Sequence, residues 1–212
     1  MHLAHHPDHG VLIEHAAGKL APGQALVVST HLRACSACRA EVGFAEAVGG
    51  ALFSDLPPAE LAPDALAHAL ARIERPSNAR RPAAPVAPTD WIRVPFDVAQ
   101  AARRRRWAAP GVWVAPVGAG PGNLRTYLLR VGAGMSVPRH THRGAEMTCV
   151  LKGAFVDGEA TYGPGDFAFG DPALEHQPRI TADGECVCLV AAQGALIPRD
   201  WVGRLFQPFV RI

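Results

Sequence analysis

The side chains best able to do chemistry in this chain fall into two sets. The first is His31-Leu-Arg-Ala-Cys35-Ser-Ala-Cys38, three soft or borderline metal ligands four and three residues apart. On one helix that spacing would put all three on a single face, within reach of one ion. Two thiols and an imidazole suit zinc, and a closed structural site needs a fourth ligand. His2, His5, His6, His9 and His15 are all candidates. We select His6, which sits just before the first helical stretch, where the chain can fold back on the second. A redox use of Cys-x-x-Cys would call for a βαβ setting, and the surrounding sequence has none.

The second set is Gly134-x5-His140-x-His142-x3-Glu146-x6-Gly153. Residues two apart on a strand share a face, so His140 and His142 can reach one ion together. Arg143-Gly144-Ala145 permits a bend before Glu146 rejoins that face. Downstream, Gly163-Pro-Gly-Asp166 is followed by Pro172-Ala-Leu-Glu-His176, which offers a third imidazole from another strand. Imidazole suits zinc, iron, copper and nickel, and a carboxylate adds tolerance for manganese.

The elements that must position these sets differ in kind. Residues 1 to about 75 read as helical: a first helix near His9–Lys19, a break at Pro22-Gly23, and a second helix from about Gln24 through the cysteine pair to Val48. A further helix over Asp64–Glu74 aligns Leu66, Leu70 and Ile73 on one face. From Arg75 to Asp90 proline recurs and Val86 is the one long apolar side chain, a linker composition. After Asp90 come short β-like runs, Thr126–Val131, Met147–Leu151 and Cys186–Ala191, with turn signals at Asp157-Gly158 and Gly163–Asp166. The expected organisation is therefore an all-α metal module over 1–75, a Pro-rich linker over 76–90 and an all-β domain over 91–212.

Composition narrows the function classes. The chain has 212 residues, 49% of them hydrophobic, and a formal net charge of +2. That is enough apolar sequence for a real core and too little charge to drive direct binding to nucleic acid or an anionic membrane. The run Arg103–Arg106 is read as a solvated face rather than a nucleic-acid contact. The N-terminus shows no basic start followed by an apolar export core, and no apolar run approaches a membrane span, so a cytoplasmic protein is expected. Cys149, Cys186 and Cys188 lie in strand-like runs, where buried, inert thiols are the default.

Two resemblances follow from these residues. His31, Cys35 and Cys38 with the upstream His6 resemble the zinc-binding anti-sigma domain, in which three helices enclose zinc and a fourth reaches across to a sigma factor. In that resemblance the fourth helix is the one bearing Leu66, Leu70 and Ile73. His140, His142 and Glu146 match the first cupin motif position by position. The second motif is matched in part: Pro172-Ala-Leu-Glu-His176 lacks the usual glycine, and the asparagine often found after the histidine is absent, so His176 is the less closely matched ligand.

Helical zinc module, linker and cupin barrel in that order resemble the ChrR family of anti-sigma factors. The resemblance implies a double-stranded β-helix C-terminal domain, zinc at both sites, with Fe, Mn or Ni also compatible with the cupin ligands, and no enzymatic activity. It implies sequestration of a group IV, extracytoplasmic-function (ECF) sigma factor, released on an oxidative signal such as singlet oxygen sensed through the cupin domain. The alternative class is a dioxygenase-like cupin metalloenzyme whose helical N-terminus binds a partner.

Overall fold

The computed structural model describes residues 3–74, 90–194 and 197–198. Helix α1 (His9–Ala16) starts where the Asp8 carboxylate accepts the Val11 N–H at 2.9 Å, which satisfies a donor the helix itself leaves open. Helices α2 (Pro22–Ala34), α3 (Ser36–Ser54) and α4 (Ala65–Glu74) follow. The second helix does not run through the cysteine pair as the spacing suggested. Cys35 is extended (φ −105°, ψ 110°), ends α2 and caps α3, its Sγ accepting the Cys38 N–H at 3.4 Å. A side-chain acceptor at this position competes with helix continuation, so the chain turns between His31 and Cys38. Pro22 and Gly23 open α2 rather than precede it, proline being tolerated in a first turn.

The remainder is mainly β. A short helix α5 (Phe96–Ala101) precedes strands β1 (Arg106–Ala109), β2 (Val112–Ala119), β3 (Leu124–Val131), β4 (His140–Thr141), β5 (Glu146–Lys152), β6 (Phe155–Asp157), β7 (Ala160–Tyr162), β8 (Phe167–Gly170), β9 (Arg179–Ile180), β10 (Cys186–Gln193) and β11 (Ile197–Pro198). The main sheet is ordered β1-β2-β3-β10-β5-β8, with a three-stranded sheet β7-β6-β9 and the pair β11-β4, and all these pairings are antiparallel. This is a cupin-like β-sandwich. The expected linker over 76–90 lies, except for Asp90, outside the described residues. Asp90 pairs with Lys152, and the Ile92 N–H donates to the Leu151 carbonyl at 2.9 Å, so the β region is engaged from its first described residues.

The main sheet is apolar on both faces. Along β10, Cys186, Cys188, Val190 and Ala192 face the smaller sheet, joining Phe155, Ile180 and Tyr127 in one core. The alternate residues Val187, Leu189 and Ala191 join Cys149, Leu151 and Leu128 on the other face, where they meet Leu12, Val27 and Val28 of the helices. The helices and the sheet therefore share a core. Gly23 marks the closest approach: a Cβ there would stand 1.9 Å from Thr126 Oγ1. Gly23→Ala is expected to destabilise the docked state by about 1–3 kcal/mol through overpacking. Adding Thr126→Ala leaves no side-chain atom beyond Cβ at the clash, and should recover part of that loss in thermal or denaturant melts.

In contrast, α4 contributes no buried residue. Leu66, Leu70 and Ile73 are 72%, 50% and 80% exposed, so among the described residues nothing covers their stripe. Among the described residues no helix is long and apolar enough to cross a membrane.

Two candidate metal centres

The first centre gathers donors from three places. His6 comes from the irregular segment ahead of α1, His31 from the last turn of α2, Cys35 from the kink and Cys38 from the first turn of α3. One ligand atom from each lies within 4.8 Å of all the others. His31 Nε2 is 3.3 Å from Cys38 Sγ, and His6 Nδ1 is 3.5 Å from Cys35 Sγ and 3.4 Å from Cys38 Sγ. Metal–ligand lengths of about 2.0 and 2.3 Å at tetrahedral angles separate N from S by about 3.5 Å, so this donor set fits one tetrahedral ion. Of the other N-terminal histidines, His5 stacks on Tyr162, His9 pairs with Glu41 and His15 lies near Glu46; His2 is outside the described residues.

Burial acts on the two kinds of donor in opposite ways, favouring the metal-ready neutral imidazole and disfavouring the metal-ready thiolate. His31 is fully buried, and its Nδ1–H donates to the Gly165 carbonyl at 2.7 Å, which leaves Nε2 as a lone pair aimed at the thiols. Burial lowers the His31 pKa against the opposing pull of that hydrogen bond, which favours the neutral ring. Burial, then the adjoining Cys35 thiol, pushes Cys38 up to about 12. In the absence of a cation Cys38 therefore keeps its proton. A metal ion must displace it, so affinity for the ion is expected to fall as pH falls, about tenfold per pH unit for each proton displaced. Following metal affinity against pH by chelator competition checks the slope.

The second centre lies in the sandwich. His140 begins β4, His142 follows it, and His176 joins His140 through an isolated antiparallel bridge with both backbone hydrogen bonds at 3.1 Å. His176 Nε2 is 3.0 Å from both His140 Nε2 and His142 Nε2. Each opposite nitrogen has an acceptor nearby: Pro138 O at 2.7 Å from His140 Nδ1, Asp157 Oδ2 at 2.6 Å from His176 Nδ1, and Glu146 Oε2 at 3.6 Å from His142 Nδ1. With the protons on Nδ1, three Nε2 lone pairs face one another, a repulsive arrangement that a cation resolves. The spacing suits imidazoles side by side on one ion, about 3.0–3.4 Å for bonds near 2.1 Å.

Glu146 stands apart from that convergence. The group that closes around one point is His140, His142 and His176, and the Glu146 carboxylate approaches the far side of His142. Burial raises Glu146 to about 7, partly countered by its hydrogen bond with Thr148. Burial, followed by the neighbouring His140 and His176, lowers His142 to about 4. These shifts both favour neutral groups, as expected of ionisable groups packed together away from water. The centre opens on a cavity of about 610 Å³ whose walls include Tyr127, Leu129, Phe155, Cys186, Cys188 and Val190.

Residues 97–196 match the ChrR cupin-like domain family. The whole chain is 39% identical, over 219 aligned positions covering 100% of both proteins, to the anti-sigma-E factor ChrR of Cereibacter sphaeroides. The chain belongs to the ChrR family. It is also similar to a chain in the crystal structure of Rhodobacter sphaeroides SigE in complex with the anti-sigma ChrR, at 34% identity and a TM-score of 0.76, covering 90% of this chain and 100% of that one.

Within this ChrR-family fold the structure adds residues that motif reading passed over. Asp157 is one: read in sequence as half of a hairpin turn, it holds the His176 imidazole. Gly165 and Asp166, read as a tight turn, reach the first centre. No local signal distinguishes such outer partners from ordinary turn residues, because the contacts span many residues of sequence. The exposed apolar surface is also wider than the Leu66 stripe. Phe44, Val48 and Leu52 recur every fourth residue along α3, and Phe53, Leu56 and Leu61 follow in sequence before α4, all exposed. Cys149, Cys186 and Cys188 are buried, as their strand-like runs suggested.

Proposed function

We propose that this protein is an anti-sigma factor that sequesters a group IV (ECF) sigma factor and releases it on an oxidative signal such as singlet oxygen, sensed through the cupin domain. The observation that carries the reading is the full-length likeness to ChrR in a chain whose α3 and α4, among the described residues, carry a run of exposed large apolar side chains. So many large apolar side chains left exposed on two successive helices support an interaction site there. Residues 1–75 act as the zinc-binding anti-sigma module, 76–90 as a linker and 91–212 as the cupin domain. His6, His31, Cys35 and Cys38 hold a structural zinc. His140, His142 and His176 hold the cupin ion, with Glu146 as a ligand or as the carboxylate that orients His142. The protein acts in the cytoplasm, contacts no nucleic acid or membrane directly, and regulates rather than catalyses.

Leu66, Leu70 and Ile73 belong to the sigma-binding surface, together with the apolar residues of α3. Leu70→Asp and Phe53→Asp are each expected to weaken the equimolar complex with the cognate sigma factor at least about tenfold. Both side chains are exposed, so thermal stability should stay near that of the unmodified protein. Calorimetric titration of the full-length variants against the purified sigma factor tests the reading, and full affinity in both would overturn this surface. Turnover of an oxidisable substrate by iron-loaded protein, without sigma binding, would instead favour a cupin metalloenzyme using the 610 Å³ cavity.

A further inference from the structure

We infer that the barrel turn Gly163–Phe167 forms the outer shell of the His6, His31, Cys35 and Cys38 centre, with Gly165 and Asp166 as positioning residues for two of its four donors. The inference rests on the reading that this centre holds zinc. His6 is exposed and comes from a segment with no helix or strand of its own. Something else must hold it where the thiols need it.

That support comes from the barrel. Asp166 is buried, and its Oδ1 accepts the N–H groups of Ala4 at 2.9 Å and His5 at 3.1 Å, while Oδ2 accepts that of Gly163 at 2.8 Å. The next residue, Phe167, donates its N–H to the His5 carbonyl at 3.1 Å. The His5 ring stacks on Tyr162 at 4.1 Å between centroids and hydrogen-bonds the Thr161 carbonyl at 3.1 Å. The two residues before His6 are thus pinned from three directions, all on the sheet-bearing half of the chain. A carboxylate receiving three backbone N–H groups is a strong, charge-assisted anchor.

His31 is set from the same turn. Its Nδ1–H donates to the Gly165 carbonyl, the kind of second partner that fixes the tautomer and orientation of a metal-binding imidazole. Gly165 has a backbone of φ +94° that favours glycine, and a Cβ there would meet Leu3 Cδ2 at 2.8 Å and Ala34 Cβ at 3.1 Å. The missing Cβ lets the turn lie close against Leu3 and Ala34, on the two segments that carry His6 and His31. The metal affinity of the helical centre is therefore a property of the docked chain.

The test uses full-length protein and Co(II) as the probe. Tetrahedral Co(II) with thiolate ligands absorbs through charge transfer, which an all-imidazole set does not provide, and Cys35→Ser assigns that absorption to the first centre. Asp166→Ala is expected to lower Co(II) affinity at this centre by about ten- to a hundredfold, and to alter the ligand-field bands of whatever remains bound. Asp166→Asn keeps an oxygen for Ala4 and His5 and should recover much of that affinity. His5→Ala, which removes only the ring contacts with Thr161 and Tyr162, is expected to cost about tenfold, the lower end of that range. If unmodified protein shows no charge-transfer absorption sensitive to Cys35→Ser, the zinc reading itself fails. If that absorption is present and folded Asp166→Ala binds Co(II) with unchanged affinity and spectrum, the positioning role is overturned. Should Asp166→Ala not fold, Asp166→Asn, which removes the charge of the anchor, takes its place, and Co(II) affinity and spectrum identical to those of the unmodified protein overturn the role instead.

Discussion

Cys38→Ala is expected to abolish inhibition of the sigma factor, with loss of one metal ion per chain and of part of the helical signal. Cys38 Sγ is the donor nearest both histidines, 3.3 Å from His31 Nε2 and 3.4 Å from His6 Nδ1, and the residue is buried. Structural zinc contributes on the order of 10–16 kcal/mol to small modules of this kind, so losing a ligand removes a large share of what holds α1, α2 and α3 together. The effect on sigma binding should exceed about a hundredfold, the loss that follows from only about 3 kcal/mol. Cys35→Ser separates two roles of its thiol. Serine is a good N-cap, so α3 keeps its start, while the ion loses a ligand. Sigma inhibition lost in Cys35→Ser would therefore be due to the ion and not to the cap. Metal analysis, far-ultraviolet circular dichroism and sigma titration on the same samples check this, and full sigma affinity in either variant would refute the structural role assigned to zinc.

His176→Ala is expected to remove the cupin ion as completely as His140→Ala or His142→Ala, and to leave repression intact while blunting induction by singlet oxygen. By motif His176 was the least closely matched ligand; by geometry it is the hub, 3.0 Å from each of the other two Nε2 atoms. Removing it leaves two imidazoles facing a gap. Asp157→Ala is expected to weaken metal binding about ten- to a hundredfold by freeing the His176 ring. Glu146→Ala should also blunt induction. It should cost less metal affinity than His176→Ala if the carboxylate acts from 3.6 Å behind His142 rather than at the ion. A reporter for the sigma factor, with and without the oxidant, combined with metal content per chain, separates the outcomes. Normal induction in all the histidine variants would mean that the cupin ion is not the sensor input.

The route from barrel to helices is short in this fold. Strand β8 begins at Phe167, whose N–H binds the His5 carbonyl, and ends at Gly170, where a Cβ would stand 3.2 Å from His142 Nε2. A four-residue strand thus runs from the edge of one centre to the edge of the other. An element packed at both ends can carry a shift between two sites if it has two arrangements. The helices also bury Val27 and Val28 against the sheet, so removing the barrel would uncover them, while the Leu66, Leu70 and Ile73 stripe is already exposed among the described residues.

Much of this protein is legible in one dimension because ligand chemistry is local. His31, Cys35 and Cys38 lie within eight residues, and His140 and His142 are two apart, so type and spacing alone mark both sets. Helix and strand character followed from periodicity and turn residues, and β3, β5 and β10 fall close to the expected runs. Local spacing was also misleading where a side chain overrode it: the Cys35 thiol caps α3 and breaks the helix on which three ligands were to share a face. What only tertiary structure decided are the relations across long stretches of chain. These include the Asp157–His176 pair, the approach of Glu146 from behind His142, and the clasp of Gly165 and Asp166 on residues 4, 5 and 31. One clue to the docking was present in the sequence itself. The run Cys186–Ala192 has no polar alternation, as befits a strand buried on both faces, and so implies a cover for the outer face of the sheet. Which residues form that cover, and that the cover also reaches a metal centre, depends on packing between segments more than a hundred residues apart, and no local pattern records it.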